Sequence, residues 1–171
     1  MDVLEAIKQR RSIRQFTEQA IEREFLEQIL DAARWAPTAS NQQKWRFIVV
    51  TDPTVKEMVR KVSPGIFATP AAFIVICAEA APDASDWDER TYLADCAVAA
   101  QSIMLAAHAL GLGTCVALSY ARSAVQEILD IPDQVKPELI VTLGHPAEDP
   151  PPPPRLPLSQ IAFTDTYGKA W

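Results

Sequence analysis

Arg10-Arg11-Ser12-Ile13-Arg14-Gln15-Phe16 is the stretch on which the reading of this chain turns. Three arginines and a hydroxyl fall within residues 10–14, directly after a short amphipathic segment, Asp2 to Gln9. A guanidinium presents several donors in a fixed fork, a geometry suited to a phosphate dianion. A serine hydroxyl adds a small, close donor. The same residues also suit a solvated helix end, where cations complement the dipole. Two further stretches tilt the balance toward an anion site. One is Ala36-Pro37-Thr38-Ala39-Ser40-Asn41-Gln42-Gln43-Lys44-Trp45, and the other lies around Gly111.

The rest of the chain sets that cluster against an acidic background. The 171 residues carry a net charge of −6, with 49% hydrophobic and 22% charged residues. This fits one globular domain with a real core. The acidic balance argues against a general nucleic-acid or anionic-membrane surface. No apolar run approaches the roughly 20 residues that span a bilayer. The first residues are too charged for a signal peptide, so a cytoplasmic protein is expected. Cys77, Cys96 and Cys115 are scattered and lack a CxxC pair, and read as small buried hydrophobes. His108 and His145 have no partner at ligand spacing, so no metal site is expected.

Taken in order, Asp2 to Gln9 reads as a short helix with Val3, Leu4 and Ile7 on one face. Ile21 to Trp35 carries the stripe Phe25, Leu26, Ile29, Leu30 and Ala33 of a core-packed helix, ended by Pro37. A polar loop leads into a strand at Trp45 to Val50. Asp52-Pro53 starts a helix with Val55, Met58, Val59 and Val62 inward, broken at Ser63-Pro64-Gly65. Ala71 to Ala78 is a second buried strand, and Ala80 to Glu89 an acidic, mobile surface loop containing Pro82. Arg90 to Leu110 is the longest helix, with a stripe of Leu93, Ala97, Ala100, Met104 and Ala107. It is apolar nearly all round, which predicts a central helix or one packed across a subunit interface. Strands at Thr114 to Leu118 and Leu139 to Leu143 flank a short helix, Ser123 to Leu129. Pro150 to Pro154 then form a stiff spacer before an apolar tail, Arg155 to Trp171. Few strands among many helices, without strict βαβ spacing, predict a three-layer α+β domain with a central mixed sheet.

Side-chain catalysis finds little support. Gly111-Leu112-Gly113 follows a helix, and Val116 stands where a dinucleotide fingerprint needs its third glycine. It reads as a helix stop with glycine in a left-handed conformation. No serine or cysteine has a histidine activator in sequence, and there is no nucleophile elbow. Asp83, Asp86, Asp88 and Glu89 look like a solvated loop. Thr38, Ser40, Asn41, Gln42 and Gln43 offer neutral donors and acceptors that suit a heteroaromatic ring edge, or equally a self-capped surface loop. If the chain is an enzyme, a cofactor carries the chemistry.

The blocks Arg10–Phe16, Ala36–Trp45, His108–Cys115, Leu143–Pro146 and Arg155–Leu158 together resemble the nitroreductase family of FMN-dependent oxidoreductases. They occur in that family's order and cover nearly the whole chain. The resemblance implies a three-layer α+β fold whose central sheet is mixed or mainly antiparallel, flanked by helices. It implies an FMN-binding domain over 1–149 and an extension over 150–171 that wraps the partner subunit of a homodimer, so the C-terminal tail is exchanged between subunits. It places Arg10, Arg11 and Ser12 at the FMN phosphate, with Arg155 nearby. Arg14 faces the flavin pyrimidine edge, where a cation suits the negative charge that develops on reduction. Pro37, Thr38, Ala39 and Asn41 reach the flavin from the other subunit, and Val116, Ala117, Leu118 and Ser119 line the ring. NADH or NADPH would be the electron donor, and an electron-poor small molecule such as a nitroaromatic or quinone the acceptor, in a ping-pong cycle. No nucleic-acid or membrane partner is implied. Lys44 stands where the family usually has proline, and the family's ring-contacting Asn and Lys are not recognisable around Ser63 to Phe67. The short chain leaves two other readings open. One is an FMN storage module without turnover. The other is a specialised member acting in dehalogenation, flavin fragmentation or ring oxidation.

The tail gives the first prediction. Burying one large apolar side chain is worth about 1.5–3 kcal/mol, so several together can anchor a segment across an interface. Truncation after Pro154 is expected to yield a less dimeric protein that loses FMN on dilution. Sedimentation followed at a flavin wavelength checks this; a flavin-loaded dimer of otherwise unchanged sedimentation would contradict it.

Overall fold

Eight consecutive residues, Ala72–Glu79, form the strand that the fold is built on, and both of its faces are apolar. Ala72, Ile74, Ile76 and Ala78 point one way, and Phe73, Val75 and Cys77 the other. A strand alternates its side chains, so such a run must be covered on both sides. The computed structural model, which describes residues 2–81 and 84–171, meets that demand with three layers.

The strands are β1 (Trp45–Val50), β2 (Ala72–Glu79), β3 (Gly113–Ala117) and β4 (Val135–Gly144). They form one sheet in the order β1-β2-β4-β3, antiparallel throughout. Among the described residues, parallel pairing is confined to an isolated bridge between Ser12 and Thr114. The helices are α1 (Val3–Gln9), α2 (Arg23–Arg34), α3 (Pro53–Lys61), α4 (Asp86–Ala109), α5 (Arg122–Ile128) and α6 (Leu158–Ile161). Helices α2 and α4 cover one face through Leu26, Ile29, Ala33, Cys96 and Ile103. Helices α3 and α5 cover the other through Val59 and Val125. Among the described residues, no helix is long and apolar enough to cross a membrane.

Local chemistry explains several boundaries. Asp2 caps α1 in a capping box with Glu5, and Asp52 caps α3 ahead of Pro53. Gly111, at φ +77°, follows the end of α4 in the left-handed region, as its place after a helix predicts.

Several expectations need correction, among them Met58, expected inward on α3 but exposed. The acidic segment is not all loop: Asp86, Asp88 and Glu89 form the first turn of α4, because Ser85 and Asp88 make a capping box and acids suit a helix N-terminus. Pro82 and Asp83 lie outside the described residues. The buried stripe of α4 is Tyr92, Cys96, Ala99, Ala100, Ile103 and Ala107, whereas Leu93 and Val98 are exposed. Strand β4 begins earlier than expected and carries Pro137, tolerated beside an irregularity opposite Ile76/Cys77. Finally, α1 buries only Ala6; Val3, Leu4 and Ile7 are exposed in the single chain.

The C-terminal segment is also exposed. Leu156, Leu158, Ile161, Tyr167 and Trp171 range from 56% to 93% accessible. Phe163 and Tyr167 pack on each other at 4.6 Å between ring centroids. Phe163 also bridges Ala170 across the turn that joins them.

Burial separates two phenylalanines sharply. Phe73→Ala is expected to cost about 3–5 kcal/mol, because Phe73 is fully buried. Phe67→Ala, at an exposed loop position, is expected to stay within about 0.5 kcal/mol. Urea unfolding of the two variants checks the ranking.

Candidate active site

The site is built where the N-terminal segment lies across the ends of β3 and β4. The N–H of Ile13 donates to the Thr114 carbonyl at 2.9 Å, and that of Thr17 to His145 at 2.9 Å. Ile13 sits so close to Gly113 that a Cβ there would lie 2.8 Å from it. Phe16 crowds Gly144 in the same way, also at 2.8 Å. Glu148 completes the docking: its Oε1 accepts from the backbone N–H of Arg14 at 2.5 Å and of Gln15 at 3.1 Å. The Ala147 N–H returns a bond to the Gln15 carbonyl at 3.0 Å. The segment is thus held along its length, with its arginines projecting from a fixed backbone.

Those arginines converge. Arg10, Arg11, Ser12 and Arg14 line a cleft of about 250 Å³ together with Pro150, Pro151, Pro153 and Arg155. The proline run therefore begins as a wall of this cleft and delivers Arg155 into it. Arg11 differs from its neighbours: its guanidinium bonds the carbonyls of Lys8 at 2.7 Å and Arg10 at 3.0 Å, capping the end of α1. Arg10, Arg14 and Arg155 make no salt bridge among the described residues. His108, near the end of α4, has its pKa lowered by burial and then by the charges of Arg10 and Arg11. A cleft with several uncompensated guanidinium groups and a hydroxyl suits a phosphate dianion.

Arg14 also belongs to a second, mostly apolar pocket, with Phe16, Gly65, Ile66, Phe67, Ala68, Cys115, Ala117 and Thr142. The Gly65 N–H donates to the Ser119 carbonyl at 3.1 Å, which pins this loop to the end of β3. In the single chain that pocket holds only about 10 Å³, room for one water and not for a ring, so Arg14 marks the boundary between the anion cleft and an apolar wall.

The structure brings together Arg10, Arg11, Ser12, Arg14 and Arg155, and Ala117 beyond them. Val116 instead packs into the layer of α2 and α4, while Leu118 and Ser119 are exposed. Pro37, Thr38, Ala39 and Asn41 line neither pocket. Their loop contains a 3₁₀ turn, Ala39–Asn41, and three non-glycine residues at positive φ: Ser40, Asn41 and Gln43. An ordinary L residue in that region costs on the order of 1–2 kcal/mol. Cys77 and Cys96 are buried as expected, and burial pushes both thiols up to about 12. Cys115 is half-buried and lines the apolar pocket, correcting its reading as a buried hydrophobe. Glu148, Phe16 and Thr142 were missed; a lone acid beyond the last strand carries no motif that would flag it.

Comparison with known proteins identifies the family. The nitroreductase family matches residues 7–68 and 55–145. A Methanothermobacter thermautotrophicus protein is 37% identical over 88% of this chain and 80% of its own length. It is assigned, by name only, as an NADH dehydrogenase/NAD(P)H nitroreductase. An FMN reductase (NADPH) of Bacillus subtilis is 31% identical over 97% of this chain and 74% of its own. The solved structure of the NfrA1 nitroreductase from B. subtilis superposes with a TM-score of 0.91 at 28% identity, covering 98% of this chain and 75% of that one. The chain belongs to the nitroreductase family, and it is an enzyme of the oxidoreductase class.

The two adjacent arginines differ in their partners, and that separates their roles. Arg10→Ala is expected to remove a charge-assisted bond worth roughly 1.5–3 kcal/mol, about ten- to a hundred-fold in FMN affinity. Arg11→Ala is expected to do less, because its guanidinium already serves backbone carbonyls. Equal losses in a flavin-binding titration would contradict the assignment.

Proposed function

We propose that this protein is an FMN-dependent NAD(P)H oxidoreductase that reduces electron-poor acceptors such as nitroaromatics or quinones. The observation that carries the reading is the cleft of about 250 Å³ in which arginines without an ion pair among the described residues and the Ser12 hydroxyl meet, in a chain of the nitroreductase family. FMN, when bound, supplies the hydride chemistry that no side chain of this site offers.

The chain's own residues bind and orient. Arg10, Ser12 and Arg155 hold the phosphate, with Arg11 bracing the end of α1 behind them. Arg14, which lines both the cleft and the apolar pocket, would lie at the pyrimidine edge of a bound FMN, where a cation suits the negative charge of the reduced cofactor. Ala117 would border the ring of a bound FMN, and the neighbouring Val116, Leu118 and Ser119 would contribute backbone alone. Pro37, Thr38, Ala39 and Asn41 serve the site of the other subunit of a homodimer. The exposed apolar residues of α1 and of the tail support that assembly. We assign residues 1–149 to the cofactor-binding domain and 150–171 to an extension exchanged with the partner, in a cytoplasmic enzyme. With FMN held there, donor and acceptor would use the site in turn, a ping-pong order. Solvent supplies protons at so exposed a site.

Anaerobic addition of NADH or NADPH to the purified, FMN-loaded protein is expected to bleach the flavin absorbance. Absence of bleaching with both donors would contradict the proposal. Tight FMN binding without turnover of any nitroaromatic or quinone would support FMN storage.

A further inference from the structure

Asp95 is a buried carboxylate that the function described above does not use. It projects from the middle of α4 and is 9% exposed, next in sequence to the fully buried Cys96. Both of its oxygens lie 3.2 Å from the backbone nitrogen of Ala39. Among the described residues this N–H is its one hydrogen-bond donor, and no cation pairs with it. A desolvated carboxylate with so few donors is costly for the fold and is retained in a core only against that cost.

The N–H it holds opens a strained loop. Ser40, Asn41 and Gln43 all adopt positive φ, and Ala39, Ser40 and Asn41 are exposed, so packing does not enforce their shape. Bonds inside the loop close it on itself. The Asn41 N–H donates to the Thr38 carbonyl, the Gln42 N–H to the Ala39 carbonyl, and the Gln43 N–H to Thr38 Oγ1. None of these fixes the loop relative to the core, and Arg46 Nη1, which donates to the Gln43 carbonyl at 3.1 Å, ties only the exposed far end of the loop to β1. The bond from Ala39 to Asp95 ties the loop to the core. It orients the peptide between Thr38 and Ala39, and through it the turn that carries Ser40 and Asn41. Strained backbone persists only where its surroundings determine it, and it concentrates at sites that need preorganisation.

We propose that Asp95 is a positioning residue: its carboxylate clamps the strained Thr38–Gln43 loop in the shape that contacts the cofactor of the partner subunit. The proposal rests on the reading of the preceding subsection that this loop serves an FMN site. The clamp links α4, the longest helix, to a loop that completes the other site of the dimer.

The test compares Asp95→Ala and Asp95→Asn with the wild-type holoenzyme. Three quantities are read: FMN affinity by fluorescence quenching, amide exchange at Ala39, and the thermal midpoint. Asparagine keeps an acceptor of the same size at the same place. Asp95→Ala is expected to weaken FMN binding about tenfold, the effect of losing a bond to a charged group, and to deprotect the Ala39 amide. Asp95→Asn is expected to stay within about threefold of wild type and to keep the amide protected. Unchanged FMN affinity in Asp95→Ala would overturn the proposal. So would losses that are equal in the two variants and track their thermal midpoints, since those mark a merely structural carboxylate. If Asp95→Ala does not fold, Asp95→Glu, which displaces the acceptor by one methylene, takes its place with the same expectations. A wild-type protein that binds no FMN would defeat the functional reading instead, while exchange at Ala39 still reports on the clamp.

Discussion

Two positions without a Cβ decide where the chemistry of this protein can happen. Gly113 and Gly144 stand at the ends of β3 and β4, and Ile13 and Phe16 fill the space that their side chains would take. A methyl group at either glycine would lie 2.8 Å from its neighbour and force the N-terminal segment off the sheet. The close approach lets Ile13 bond Thr114, and Thr17 bond His145. It also brings Arg14 and Gln15 under Glu148, from which the proline run departs. The cationic cleft is therefore a consequence of backbone docking. The arginines do not gather by mutual attraction; like charges are brought together because the segment bearing them is anchored between them.

The anchoring also settles an electrostatic question. The chain carries a net charge of −6, yet at this spot several guanidinium groups face one cleft with no ion pair among the described residues. Acids elsewhere are engaged locally: Glu57 with Arg60, Glu89 with Lys136 and Glu138 with Arg122. Glu148, which touches the segment, turns its carboxylate to backbone N–H groups and pairs with none of the guanidinium groups. Such a cleft favours a bound dianion and disfavours a vacant fold, so ligand binding is expected to stabilise the native state by mass action.

Much of this was legible in the residues. The heavy apolar runs at β1 and β2 and the stripe of α2 declared themselves by composition and period, and Gly111 by its place after a helix. The cluster at residues 10–14 stood out because it opposed the sign of the chain. What was not legible depended on partners distant in sequence. The start of α4 was hidden because a proline and an acidic run read as loop, whereas the Ser85–Asp88 capping box reads as a helix start only once its geometry is known. The face of α4 was misjudged by one position, because a helix rich in alanine gives a flat periodic signal. Gly65–Ala68, Cys115 and Thr142 meet in one pocket from three separate stretches of chain. Glu148 and Asp95 act on backbone N–H groups, which no side-chain motif encodes.

The central claim is that the cleft at the docked N-terminal segment is the phosphate end of a cofactor site. A crystal structure of the protein grown with FMN tests it most directly. The account predicts the phosphate among Arg10, Ser12 and Arg155, with the ring running past Arg14 toward Ala117. Flavin density with its phosphate elsewhere, and this cleft filled only by solvent, would contradict it.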